Sequence, residues 1–82
     1  MAKGFAQIAT AGKYSLETVY SHFEDGKEWE WWARAINPGA GLPEFYGRAS
    51  TVDAAKKDAM KSIGVVINPG WRDHGPLLDL PD

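Results

Sequence analysis

The sequence predicts an α+β fold: an antiparallel sheet of three strands, or four, with one helix packed across one face, in the order β-β-β-α-(β). Three observations carry that prediction. Apolar and polar residues alternate on either side of Asp25-Gly26, the pattern of two strands joined by a tight turn. Residues 50–64 switch to a helical period, with Val52, Ala55, Ala59, Met60 and Ile63 recurring on one side. Between them, the Pro and Gly residues of Asn37-Pro38-Gly39-Ala40-Gly41-Leu42-Pro43 would break any regular ladder.

Taken in order, residues 1–12 hold only Phe5 and Ile8 as apolar anchors, and Gly4 and Gly12 limit any helix to one turn. The segment reads as a loose arm. The first strand runs from about Lys13 to Phe23. Tyr14, Leu16, Thr18 and Tyr20 share one face; Ser15, Glu17 and Ser21 share the other, where Val19 and Phe23 interrupt the polar run. The second strand spans about Glu28 to Ile36, with Trp29, Trp31, Ala33 and Ala35 opposite Glu28, Glu30, Trp32, Arg34 and Ile36. A third, Glu44 to Ala49, sets Phe45, Gly47 and Ala49 against Tyr46 and Arg48. Ser50 is placed to cap the helix, Asp53 suits its positive end, and Gly64 stops it. Ala55 and Ala59 leave the helix surface shallow, so its axis can approach the sheet over Trp29 and Trp31. Val65-Val66-Ile67 suits an added edge strand. After the Asn68-Pro69-Gly70 turn, residues 71–82 carry Leu77, Leu78 and Leu80 and read as a cover for the second sheet face or as a tail.

Composition bounds the function. The chain has 82 residues, 44% hydrophobic and 24% charged, which indicates one folded domain, 1–82. A chain of this length leaves no room for a dinucleotide-binding unit or a barrel enzyme. No run approaches the roughly 18 apolar residues of a membrane helix, and Met1–Phe5 lacks the apolar stretch of a secretory signal. A chain without cysteine suits a reducing cytoplasm, and no membrane partner is expected. We find no internal repeat and no low-complexity tract.

Catalytic chemistry has little to work with. There is no Cys nucleophile; His22 falls in the hairpin and His74 in the tail. Asp73-His74 could pair with Ser15 or Ser21 as a dyad, but no spacing requires it. Two His and scattered carboxylates give no metal-ligand spacing, and Glu28 and Glu30 on one strand face suit solubility. Gly39-Ala40-Gly41 lacks the Lys-Ser/Thr and following helix of a phosphate loop. The expectation is a protein that is not an enzyme and uses neither metal nor cofactor.

Charge and aromatics point to binding instead. Net charge is −2. Residues 17–30 carry Glu17, Glu24, Asp25, Glu28 and Glu30 against Lys27, a local −4. Residues 31–72 carry Arg34, Arg48, Lys56, Lys57, Lys61 and Arg72 against Glu44, Asp53 and Asp58, a local +3. An acidic hairpin of this kind suits docking onto a basic surface. Of the four Trp, alternation sends Trp29 and Trp31 to the helix side and Trp32 to the other. There Trp32 joins Glu28, Glu30, Arg34 and Tyr46 as a candidate partner-binding set, because Trp, Tyr and Arg dominate interface hot spots. The competing reading covers that face with Trp71 or Leu77-Leu78, and a homodimer pairing two open faces would satisfy both.

Two resemblances add expectations. Gly47-Arg48-Ala49-Ser50 followed by Lys56, Lys57 and Lys61 resembles the C-terminal half of a double-stranded-RNA-binding domain. That likeness, over Tyr20 to Ile63, implies a duplex nucleic-acid site on Arg48, Lys56, Lys57 and Lys61. The aromatic hairpin, the strand ending Gly47-Arg48-Ala49-Ser50 and the Ala-rich helix are also similar to small phage and prophage proteins, some type I anti-CRISPR proteins among them. This second likeness implies a cytoplasmic, non-catalytic inhibitor that binds a host protein complex in a bacterial or phage-infected cell. Host protein is the expected partner, with nucleic acid the alternative.

Overall fold

A computed structural model describes residues 2–21 and 24–80. The elements are β1 (Ala2–Ala11), β2 (Tyr14–Tyr20), β3 (Trp29–Ala35), a short 3-10 turn (Pro38–Ala40), β4 (Phe45–Ala49), α1 (Val52–Ser62) and β5 (Arg72–Leu80). They form one antiparallel sheet, ordered β4-β3-β2-β1-β5, with α1 packed against β2, β3 and β4. The α+β class and the single helix on an antiparallel sheet are as the sequence predicts. The sheet has five strands because both ends of the chain join it.

Residues 1–12 are thus the main correction. What reads as a loose arm is β1, paired with β2 on one side and β5 on the other. Gly12 closes its hairpin to β2 with φ 60, while Lys13 stays at negative φ, the combination that lets a two-residue turn follow strand twist. Small residues hide the strand pattern: Ala6 and Ala9 are buried, yet neither stands out as an apolar anchor. Residues 72–80 are likewise an edge strand and not a cover or tail.

The edge strand expected at Val65-Val66-Ile67 does not form. The Val65 N–H is used by the Met60 carbonyl at 2.9 Å, finishing the helix, and Val66 and Ile67 are 90% and 78% exposed. Gly64, at φ 72, turns the chain as expected. At the other end of α1 the cap is Thr51, not Ser50: its Oγ1 accepts from the Ala54 N–H at 3.1 Å. Asp25-Gly26 does turn the chain between β2 and β3, within a loop longer than two residues, where the Asp25 carboxylate accepts from the Lys27 N–H at 3.0 Å. The readings that rest on His22 and Phe23 lie outside the described residues.

Register assigns each face. Ala9, Leu16, Ala33 and Phe45 pair across one row on the helix side. Gln7, Thr18, Trp31 and Gly47 form the next, and Tyr20, Trp29 and Ala49 the one beyond. Leu16 and Ala33 meet Ala59 of the helix, all three fully buried, with Trp31, Phe45, Met60, Ile63 and Trp71 packed around them. Trp31 lies flat over Gly47: a Cβ there would come within 2.5 Å of the indole. The alanines of α1 and the glycine of β4 are therefore two halves of one solution, each leaving room for the large rings of β3.

Candidate functional site: the uncovered face of the sheet

The opposite face takes the alternate residues. One row crosses all five strands: Arg72, Ile8, Glu17, Trp32 and Tyr46. Val19, Glu30 and Arg48 lie on one side of it, and Thr10, Ser15 and Arg34 on the other. Among the described residues no helix or strand lies across this face.

Trp32 and Tyr46 pack as a tilted pair with ring centroids 5.4 Å apart. The Arg34 guanidinium carbon stands 5.0 Å from the Trp32 ring centroid, a cation–π distance. Tyr46 is 52% exposed, so the cluster faces solvent. Its hydroxyl donates to Glu30 Oε1 at 2.6 Å, and Ser21 Oγ donates to Glu30 Oε2 at 2.7 Å. Both oxygens of that carboxylate are thus engaged within the sheet. The Glu30 bond, with loss of solvation second, raises the Tyr46 phenol above its ordinary pKa, because a carboxylate acceptor favours the phenol keeping its proton.

Glu30, Trp32, Arg34 and Tyr46 are brought together as the sequence predicts. Glu28 is not in the cluster. It precedes β3 and its Oε2 accepts from the Tyr20 hydroxyl at 2.9 Å, at the mouth of the hairpin. Burial first, then this bond, pushes the Tyr20 phenol up as well. At the hairpin tip, the Lys27 backbone N–H and the charge of Arg48, 2.9 Å away in an ion pair, hold Asp25 below the ordinary carboxylate range. The face itself is not acidic: Glu17 and Glu30 share it with Arg34, Arg48 and Arg72.

The duplex-binding set is divided. Arg48 belongs to the uncovered face, whereas Lys56, Lys57 and Lys61 are on the helix, across the sheet from it. Of the residues considered for a dyad, Asp73 accepts from Gln7 Nε2 at 3.2 Å and Ser21 donates to Glu30 at 2.7 Å. Among the described residues no three His, Cys, Asp or Glu gather as metal ligands, and no helix is long and apolar enough to cross a membrane.

Sequence reading missed Ile8 and Arg72, which extend the aromatic row, because their strands were not recognised. It also passed over a repetition. Ile-Asn-Pro-Gly occurs at both 36–39 and 67–70. In each copy the Asn side chain accepts from the Gly N–H, at 3.1 and 2.9 Å, and the Ile is exposed, 54% and 78%. Reading for domain-sized repeats hides so short a unit; the shared Asn side-chain bond is the signal, while the backbones differ, with Gly39 inside the 3-10 turn and Gly70 at φ 83. Comparison of the chain with protein-family models, curated proteins and solved structures gives no match.

Proposed function

We propose that this chain is a non-enzymatic protein-interaction module that docks its uncovered sheet face on a partner, as a phage-type inhibitor docks on a host macromolecular complex in the cytoplasm. The observation that supports this reading is the Trp32–Tyr46–Arg34 cluster on a solvent-facing sheet. These residue types supply most interface binding energy. The rings are already packed against each other and against a guanidinium, so docking would immobilise little that is not already ordered. Glu30 takes a different part from the one its charge suggested: it holds the Tyr46 hydroxyl in place. Long-range attraction to a basic partner then falls to the hairpin, where Glu24 is exposed.

The test is affinity capture from bacterial host lysate, with and without nuclease, using the native chain and a Trp32→Ala variant. A nuclease-resistant partner lost in Trp32→Ala, with the variant still folded by circular dichroism at the capture temperature, is the expected result. Capture that survives Trp32→Ala and Tyr46→Ala together would remove this face from the proposal. Capture abolished by nuclease would favour the nucleic-acid reading. That reading would rest on the duplex set Arg48, Lys56, Lys57 and Lys61, with Arg48 on the uncovered face and the three lysines on the helix.

A further inference from the structure

The sheet has two edges, and they are finished differently. β5 carries features that keep an edge from pairing: Gly75 and Pro76 interrupt it, and its register against β1 shifts between Phe5 and Ala6. β4 carries none of these. Phe45–Ala49 contains neither Pro nor Lys and pairs with β3 without a shift. Among the described residues no strand pairs with its outer side.

The direction of its backbone groups follows from β3. The Ser21 N–H donates to the Glu28 carbonyl at 2.7 Å, and the Ile36 N–H donates to the Lys13 carbonyl at 2.9 Å. Both pairs continue the β2–β3 register, so the even-numbered residues of β3 bond to β2. Trp29, Trp31 and Ala33 then bond to β4, through Ala49, Gly47 and Phe45. The N–H and C=O groups of Tyr46 and Arg48 are left pointing outward.

This edge is complementary to itself. A second copy laid antiparallel about a two-fold axis at Gly47 sets Tyr46 opposite the second copy's Arg48, and Arg48 opposite its Tyr46. Both are hydrogen-bonded pairs, so every outward N–H and C=O of β4 finds a partner. On the uncovered face each pair brings a guanidinium to a half-exposed phenol ring, while the Asp25 carboxylate, 2.9 Å from Arg48, tempers the repulsion between the two arginines. On the helix side Gly47 meets Gly47, and the half-buried Phe45 meets the small Ala49, both at non-bonded pairs where side chains come closest. The helices do not collide. Each sits over β2, β3 and β4, and the two β3 strands would be three strand spacings apart, about 14 Å; packed helices need only about 8–10 Å.

We propose that β4 pairs with the β4 of a second copy, joining two five-stranded sheets into one and bringing two Trp32–Tyr46 clusters onto a single face. The pairing uses backbone groups of β4 and not the Trp32 ring, so it can fail without touching the docking assigned to that ring, and the reverse holds too.

Light scattering of the full chain from micromolar to millimolar concentration tests it. A five-residue edge buries little surface, so the dimer should dissociate on dilution. The mass should rise toward twice 9.0 kDa as concentration increases. Arg48→Pro deletes one outward N–H from each copy and half of the interchain bonds, at an edge position that tolerates proline. It should weaken dimerisation about tenfold or more, and Arg48→Ala, which keeps the N–H, should weaken it less. Trp32→Ala should leave the dimer in place. In a mixture of isotope-labelled and unlabelled native chain, a filtered Overhauser spectrum should show contact between the Gly47 α-protons of the two copies. That measurement does not depend on any variant folding. A monomer mass at every concentration, a dimer unaffected by Arg48→Pro, a dimer lost in Trp32→Ala, or a dimer without the Gly47 contact would each overturn the proposal.

Discussion

Trp31 and Trp32 are neighbours in sequence and do opposite things. Trp31 turns toward the helix, lies over Gly47 and packs against the cluster of Leu16, Ala33 and Ala59. Trp32 turns to the solvent-facing side, where its neighbours are Tyr46, Arg34 and a carboxylate-bound hydroxyl. The first ring is matched by small residues that make room for it. The second is matched by side chains that could equally contact another molecule. A period of two in the strand is all that separates a structural tryptophan from one available for recognition.

If the two faces differ in this way, their energetics must differ most at their centres. Leu16 is fully buried beneath the helix, and Leu16→Ala should cost about 2–5 kcal/mol, the range for deleting a buried leucine side chain. Trp32→Ala removes a larger side chain, but one that is only partly covered and leaves no enclosed cavity, so it should cost less, about 1–2 kcal/mol for the ring pairing and the area it covers. Urea unfolding of both variants measures this directly. Equal losses would mean that the supposedly open face is a second core, and the contrast would collapse.

The next effect tests the fit on the helix side alone. Adding a methyl at Gly47 brings a carbon within 2.5 Å of the Trp31 indole, which must then move against packed neighbours. Gly47→Ala should therefore destabilise by about 1–3 kcal/mol, as overpacking does. The same change in an exposed strand position would cost little or help, since alanine narrows the unfolded ensemble. A neutral Gly47→Ala in thermal unfolding would show that Trp31 has slack, and the helix-side packing would be looser than the geometry implies.

How much of this was legible in the sequence follows from residue size. The β2–β3 hairpin, β4 and α1 carry large apolar residues at clean spacing, so the division of Trp29 and Trp31 from Trp32, Arg34 and Tyr46 could be read directly. β1 could not, because its buried positions include Ala6 and Ala9, and alanine is as much at home in a helix or a loop. β5 was obscured by Gly75 and Pro76, which argue against a central strand but are tolerated at an edge, where this strand lies. With β1 and β5 unread, the full width of the sheet was hidden. So was the row from Arg72 to Tyr46. Hydrogen-bond assignments were beyond reach for a different reason: nothing in Glu28 and Glu30 says that each will accept a tyrosine hydroxyl.

The smallest effect concerns that last point, and it separates a carboxylate that orders the open face from one that merely decorates it. With Glu30 ionised, the Tyr46 phenol keeps its proton to higher pH than an unfolded tyrosine, whose value is about 10. A group whose pKa is raised by folding stabilises the fold fully below the unfolded value, and that contribution fades as pH climbs through the raised folded one. Stability should therefore decline on the alkaline side, through the tyrosine range and above it. Glu30→Gln removes the charge that opposes phenolate formation while leaving an amide oxygen to accept the bond. Phenolate absorbance in an alkaline titration should then show one tyrosine ionising at lower pH than in the native chain, with the fold intact at neutral pH. An unchanged titration would mean that the Glu30 carboxylate does not hold the Tyr46 hydroxyl in solution. The carboxylate would then be free to turn toward a partner, and Tyr46 would be less ordered on the open face than the geometry indicates.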